Sequence, residues 1–225
     1  PSLIAQTAIT IDTLSEGRFV LGLGTSGPQV IEGWHGVPYS KPLGLTRDVI
    51  NICRKVWSGE KVEHEGRAYN LPLSEGEGTG LGKALRLMCT PLRQVIPIAV
   101  AAIGPKNVEM TAELANVWQP IHFLPEKFHE VWGESLHAGK AKRASDLGEL
   151  KIIAGGTVAL GKGPGVESAR KAVRDNVGFY VGGMGARDKN FYNDLFKRYG
   201  YEEEAASIQD LFLSCLLYTS DAADD

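Results

Sequence analysis

Residues 19–30 read FVLGLGTSGPQV. A short apolar run enters a loop with glycines at 22, 24 and 27. Taken literally, this is G-x-G-x-x-G after a strand, the fingerprint of a dinucleotide site. A Rossmann site makes further demands. The loop must open directly into a helix, and an acidic residue must end the next strand about 20 residues on. Here Pro28 follows Gly27, with Gly33, Gly36, Pro38 and Pro42 close behind, which predicts a long loop in place of the helix. Asp48 has the right separation but lies inside LTRDVINICRK, an amphipathic helical stretch. The fingerprint fails on context. The stretch reads better as a loop at the C-terminal rim of a barrel, where active sites are assembled from such loops. Gly24, Thr25 and Ser26 would there offer flexible backbone and small hydroxyls to a flat cofactor.

On either side of this loop the apolar period alternates between helix and strand. Leu3, Ile4, Ala8, Ile11 and Leu14 form one helical stripe, closed by Glu16-Gly17. Val49, Ile50, Cys53, Val56 and Trp57 form the inward face of a second helix, which Ser58-Gly59 ends. Residues 61–73 predict a hairpin around Glu65-Gly66, and SEGEGTGLGK predicts a long loop, either a lid or a passive linker. Strands are predicted at 95–103, at NVWQPI (116–121) and at 151–161. Helices are predicted from 104, where Val108, Thr111, Ala112 and Ala115 repeat helically, within 125–142, from about 166, and through most of the end. Strands alternating with helices imply parallel βαβ units. A doubly wound sheet and part of a (β/α)8 barrel both fit.

Composition narrows the function classes. The 225 residues allow one large domain or two small ones, and 43% hydrophobic with 23% charged is the balance of a soluble globular chain. No apolar run approaches the roughly 20 residues of a membrane span. The opening PSLIAQTAITID has no basic region of a signal peptide. Cys53, Cys89 and Cys215 are far apart, so neither a zinc site nor a disulfide framework is expected, and a reducing cytoplasm is. The formal charge is −3, and three of the acids fall in the last five residues. No basic surplus is left to attract nucleic acid or anionic lipid. Glycine, 27 of 225, clusters at 22–36, 76–82, 155–165 and 178–185, where backbone must turn sharply or approach a ligand.

The last eleven residues, CLLYTSDAADD, do not continue the periodicity of IQDLFLS. They resemble a translated transposon-derived sequencing adapter of the kind met in metagenomic sequences. Residues 1–214 are therefore taken as the domain, and 215–225 as an artefactual, disordered tail.

The stretch PSLIAQTAITIDTLSEGRFVLGLGTSGPQVIEGWHGVPYSKPL resembles the bacterial-luciferase-like superfamily, through its A…D.LS.GR..LGLG pattern. SGPQVIEGWHGVPY, GEGTGLGKAL, AAIGPKNVEMTAE and GGMGARDKNFYNDLFKRYG are similar to its F420-dependent oxidoreductase branch. The resemblance covers nearly all of 1–214. It implies an incomplete (β/α)8 TIM barrel that starts within the third helix, runs through strands four to seven and stops in the C-terminal helical region. It implies an oxidoreductase, acting on paired donors or on CH–OH or C=C groups. Hydride would pass between a deazaflavin and a small organic substrate. Coenzyme F420 is the implied cofactor, with FMN in a related monooxygenase as the alternative. The fragment itself is expected to be inactive, and the parent a homo-oligomer with no nucleic-acid or membrane partner.

The resemblance also implies site residues. Gly24, Thr25, Ser26 and Gly27 would line the deazaflavin ring. Ala101, Ala102 and Ile103 end a strand, and Gly104 and Pro105 start a helix whose free N–H groups suit an anion. Gly104 lets a phosphate come close, Lys106 adds a cation, and F420 carries a phosphodiester. Arg187, Lys189, Asn190 and Tyr192 would meet an anionic substrate or cofactor tail. Trp34 and His35, near the ring loop in sequence, are candidates to contact the substrate or an anion, Trp34 by stacking on the substrate or the deazaflavin, with packing as the alternative. His64, His122, His129 and His137 show no metal spacing, and no catalytic base is identified. Where the family usually has Ala-Asp-Gly-Trp, this chain has Ala115-Asn116-Val117-Trp118, which puts the packing of that strand in question.

Overall fold

The computed structural model describes residues 1–187 and 189–220, with side chains through Ser214. By contacts the chain divides into two compact units. One contains Pro1–Ala102, Lys106–Gln119 and Ser135–Ile153; the other contains Ile103–Pro105, Pro120–Glu134 and the chain from Ala154 onward.

The first unit is a parallel sheet with helices. Helix α1 (Ser2–Leu14) leads to strand β1 (Leu21–Gly24), α2 (Pro28–His35) and α3 (Pro42–Trp57). A two-stranded hairpin follows, β2 (His64–Glu65) against β3 (Asn70–Leu71). Then come β4 (Ile98–Ala101), α4 (Pro105–Leu114), β5 (Val117–Gln119), α5 (Phe128–Lys140) and β6 (Lys151–Ile152). The sheet order is β1-β4-β5-β6, and every neighbouring pair is parallel. Strands succeed one another in chain order with no reversal. That is the order of a barrel wall, not of a Rossmann sheet, which reverses at its switch point.

Helices α3 and α4 bury the faces that their periodicity predicts. Val49, Ile50, Cys53, Val56 and Trp57 are buried on α3, and Val108, Thr111, Ala112 and the following Ala115 are buried at α4. Helix α1 differs from expectation. Its buried residues are Ala5, Ala8, Ile9 and Asp12, while Leu3, Ile11 and Leu14 are exposed. Small residues win this face because they let α1 approach α3, where Trp57 donates its Nε1–H to the Ala5 carbonyl at 3.0 Å. Asp12 can be buried because Arg93 pairs with it at 2.6 Å and also donates to the Phe19 carbonyl. The end of α4 is closed by cations. Arg143 donates to the carbonyls of Ala112 and Ala115, and Arg54 to that of Leu114. Both satisfy orphan carbonyls at the negative end of the helix dipole.

Two other expectations are corrected. Residues 28–35 are helical, not loop: Pro28 suits a first turn, Gly27 caps it, and Gly36 ends it in the left-handed region at φ 62°. The strand expected at 151–161 is only two residues long, because β6 ends the sheet order and the apolar residues beyond it, such as Val158 and Leu160, stay exposed. Backbone helix α8 spans Glu202–Ser220. Residues 221–225 lie outside the described residues.

The second unit is helical. It holds the start of α5, helix α6 (Pro164–Gly178), a wide π-type turn over Phe179–Gly183, α7 (Phe191–Arg198) and α8. Buried Asn190 and Asn193 organise it. Asn190 caps α7 by accepting from the N–H groups of Tyr192 and Asn193, and donates to the carbonyls of Tyr180 and Val181. Asn193 donates to Val181 and Ala205. The carbonyls left over by the wide turn are thus satisfied.

Candidate functional site

The two faces of the sheet differ in side-chain size. In register, Ile98 and Val100 of β4 lie beside Leu21 and Leu23 of β1, and Val100 beside Trp118 of β5. Ile98, Val100 and Trp118 are completely buried. The alternate residues form the other face: Gly22 pairs with Ala99, Gly24 with Ala101, and Ala101 with Gln119. Gly24 and Ala101 are exposed at the C-terminal ends of their strands. A β-carbon placed on Gly24 would meet only the Ala101 β-carbon, at 3.9 Å. Two adjacent strand ends therefore present a shallow floor with no large side chain.

The turn after β1 carries Thr25 and Ser26 from this floor into α2. Ser26 adopts φ 54°, a left-handed conformation that non-glycine residues rarely take. The Tyr39 hydroxyl donates to the Ser26 carbonyl at 3.2 Å, and Glu32 accepts from the Tyr39 N–H at 3.0 Å. Gly27 is the N-cap of α2, with no side chain capping its first turn. Trp34 and His35 sit at the far end of α2, and Trp34 is 87% exposed.

The turn after β4 carries Ala102, Ile103 and Gly104 into α4. The Ala102 carbonyl accepts from Trp118 Nε1 at 2.8 Å. The Ile103 carbonyl accepts from Trp132 Nε1 at 3.0 Å and from Arg198 Nη2 at 2.7 Å. A β-carbon on Gly104 would meet nothing within 4 Å, so open space lies on the side where only glycine leaves it free. Pro105 starts α4, and Lys106 turns along it to pair with Glu109 at 2.9 Å. Glu109 also pairs with Lys142, and these two lysines, Lys142 first, hold its carboxyl down at about 2. Asn116 directly precedes β5. Its Oδ1 accepts from Ile98 N–H at 3.0 Å, which ties β5 to the base of β4.

The remaining predicted positions lie elsewhere in the chain. Arg187 forms an ion pair with Asp210, and Lys189 is exposed in a small bridge with Ala186. Tyr192 packs edge-on to Tyr180, and both rings are edge-on to His122. His122 is held below its ordinary value by burial, and its Nε2 has no hydrogen-bond partner. The excursion from Ser58 to Pro97 leaves the end of α3 and returns beside the start of β1, where Leu21 N–H donates to the Pro97 carbonyl. Its hairpin is strapped along α3. Buried Asp48 accepts from the N–H groups of Ala68 and Tyr69 at 2.7 and 3.1 Å, and His64 Nε2 lies 3.2 Å from it. Gly66 passes so close to the Asp48 carboxylate that a β-carbon there would clash. Residues 72–83 are exposed throughout.

Among the described residues, Cys53 and Cys89 are free, and burial pushes the Cys53 thiol up to about 11. No group of three or more His, Cys, Asp or Glu side chains among them is placed to hold a metal ion. None of the described helices is long and apolar enough to cross a membrane. Sequence reading missed Tyr39, Trp132 and Arg198. Tyr39 is signalled weakly by its place in GVPYSK, close to the turn. Trp132 and Arg198 carry no local signal, because they reach Ile103 from 29 and 95 residues away.

Successive parallel strands, each leading to a helix, in an unreversed sheet order, define the (β/α)8 fold class. The luciferase-like monooxygenase family model matches residues 1–216, and the chain belongs to that family. A putative coenzyme F420-dependent oxidoreductase of Mycobacterium tuberculosis is 41% identical over 219 residues, 95% of this chain and 62% of that protein. The 5,10-methylenetetrahydromethanopterin reductase of Archaeoglobus fulgidus is 29% identical over 92% of this chain and 55% of its own length. Among solved structures, the coenzyme F420-dependent tetrahydromethanopterin reductase of Methanopyrus kandleri superposes with a TM-score of 0.64 at 24% identity, over 90% of this chain and 56% of that one. An F420-dependent secondary alcohol dehydrogenase, solved with an F420-acetone adduct, superposes with a TM-score of 0.61 at 17% identity. The chain thus spans little more than half the length of most of these proteins.

Proposed function

We propose that the protein is an F420-dependent oxidoreductase acting on a small organic substrate. The observation that carries this reading is the paired, open strand ends at Gly24 and Ala101. A flat tricyclic ring needs a floor without projecting side chains, and these two positions supply one. Thr25, Ser26 and Gly27 border that floor with backbone amides and two small hydroxyls. The turn from Ile103 to Pro105 suits the anionic part of the cofactor. Gly104 leaves room for a phosphate, and the start of α4 presents N–H groups and the positive end of its dipole. When bound, the deazaflavin supplies a carbon that accepts or donates hydride; the protein supplies position and electrostatics. The names of the Mycobacterium relative and of the Methanopyrus structure support F420 over FMN.

The test is a fluorescence titration of the protein with F420 and with FMN, repeated for Gly24→Val. F420 is expected to bind more tightly. The valine side chains would cover the floor and weaken F420 by about tenfold or more, an energy of about 1.4 kcal/mol. Tighter binding of FMN with oxygen consumption would replace this reading with a flavin monooxygenase. Unchanged F420 affinity in Gly24→Val would remove the floor from the site.

A further inference from the structure

The Ile103 carbonyl takes two side-chain donors, Trp132 Nε1 at 3.0 Å and Arg198 Nη2 at 2.7 Å. The indole is firmly held. Trp132 is completely buried, stacked on Phe123 with ring centroids 5.8 Å apart and edge-on to Tyr199 at 5.6 Å. Tyr199 is fixed in turn through its hydroxyl, which donates to the His122 carbonyl at 2.8 Å. The Arg198 guanidinium has a second nitrogen, Nη1, that is buried with no hydrogen-bond partner.

A trans peptide is planar, with its C=O and N–H pointing in opposite directions. Whatever fixes the Ile103 carbonyl therefore fixes the Gly104 N–H the other way. With the carbonyl drawn to Trp132 and Arg198, the amide is turned from them. Pro105 has no N–H of its own, so the Gly104 amide is the donor this turn offers ahead of the helix. Glycine could otherwise rotate here at little cost, because it has no β-carbon to restrict it.

We infer that Trp132 and Arg198 are positioning residues: together they clamp the Ile103 carbonyl so that the Gly104 amide is preset to bind the cofactor's phosphodiester. This rests on the reading of that turn as the anion site. Preset donors bind an anion without the entropy cost of ordering the turn. The clamp also gives the C-terminal part of the chain a task at the cofactor, since Arg198 comes from α7.

The variants are Trp132→Phe, which keeps the ring and loses the donor; Arg198→Met and Arg198→Lys; the Trp132→Phe/Arg198→Met double; and Gly104→Val. Two readouts are taken on the folded protein, with native-like near-ultraviolet circular dichroism as the entry condition. One is the Gly104 amide resonance without ligand. The other is the affinity ratio of F420 to a deazaflavin lacking the phosphodiester side chain. The double variant is expected to move and broaden the Gly104 resonance and to lower the ratio by about tenfold. Arg198→Lys, which retains a donor, should recover part of it. Gly104→Val fills the open space and should lower the ratio independently of the clamp. If Gly104→Val lowers the ratio and the double variant leaves ratio and resonance unchanged, the clamp is wrong and the anion site stands. If the resonance moves but neither variant changes the ratio, the anion-site reading fails and takes the proposal with it. If a clamp variant does not fold, Arg198→Lys and the wild-type resonance carry the test: a Gly104 resonance already broadened by conformational exchange in the wild type overturns a preset donor.

Discussion

The turns after β1 and β4 leave adjacent, hydrogen-bonded strands, and they are held by different means. The turn after β1 relies on its own backbone and near neighbours. Ser26 sits at φ 54°, and its carbonyl takes one hydroxyl, from Tyr39, at the exposed edge. The turn after β4 is held by side chains from distant parts of the chain: Trp118 on Ala102, then Trp132 and Arg198 on Ile103. Exposed hydrogen bonds exchange readily with water and contribute little net stability, whereas buried ones leave an unpaired group behind when broken. One turn is held lightly, at the exposed edge; the other is held by large side chains drawn from far along the chain.

The largest effect should come from dismantling the fixed turn. Trp132→Ala removes a fully buried indole, its stack on Phe123 and one donor to Ile103. The expected cost is about 3–5 kcal/mol, read as a lower urea midpoint of the transition that reports the second unit. Tyr39→Phe, its counterpart at the lightly held turn, should cost less than about 1 kcal/mol. Equal losses from the two changes would erase the distinction between the turns.

The Asp48 strap shows the same device with its polarity reversed. At Ile103, side-chain donors seize a carbonyl and leave an amide free; at Asp48, a side-chain acceptor seizes the amides of Ala68 and Tyr69. Burial pushes the Asp48 carboxyl up, but the N–H groups of Ala68 and Tyr69 and the His64 imidazole together hold it below the ordinary carboxylate range. A folded value below the unfolded one means that the stabilisation is fully present above the unfolded value, about pH 4, and fades as pH falls through the folded value. Asp48→Asn should cost about 2–3 kcal/mol at neutral pH. The difference from wild type in urea midpoint should shrink as pH drops below about 4. A difference that stays constant down to acid would mean that the carboxylate charge contributes nothing to the strap.

How much of this was legible in the sequence follows from the range of each interaction. Helices α3 and α4 were, because their apolar residues recur on one face and that face is buried. The small residues at the strand ends were also visible, as GLGTSG and AAIG. Helix α2 was hidden by its glycines and prolines, which mark loops in most contexts and here serve as the first turn and the caps. The face of α1 was misjudged because its larger apolar residues are outside, and close packing on Trp57 selects the alanines. The strand at 151–161 was overestimated, since apolar residues without a neighbouring strand have nothing to pair with. The clamp on Ile103 was invisible: a donor 95 residues away leaves no mark on the local pattern.

The smallest expected effect concerns the charge beside the fixed turn. Lys106, the cation expected at the anion site, points back to Glu109, which also holds Lys142. Glu109→Gln would remove one negative charge close to the start of α4. Exposed ion pairs contribute little net stability, so stability should change little. The gain should appear in binding, as F420 affinity raised by a factor of about two to five at low salt. Salt should reduce it, because exposed charges are screened within about 10 Å at 0.1 M. A deazaflavin without the phosphodiester should gain nothing. If F420 affinity falls instead, Glu109 is needed to orient Lys106, and the cation belongs to the fixed framework of this turn alongside Trp132 and Arg198.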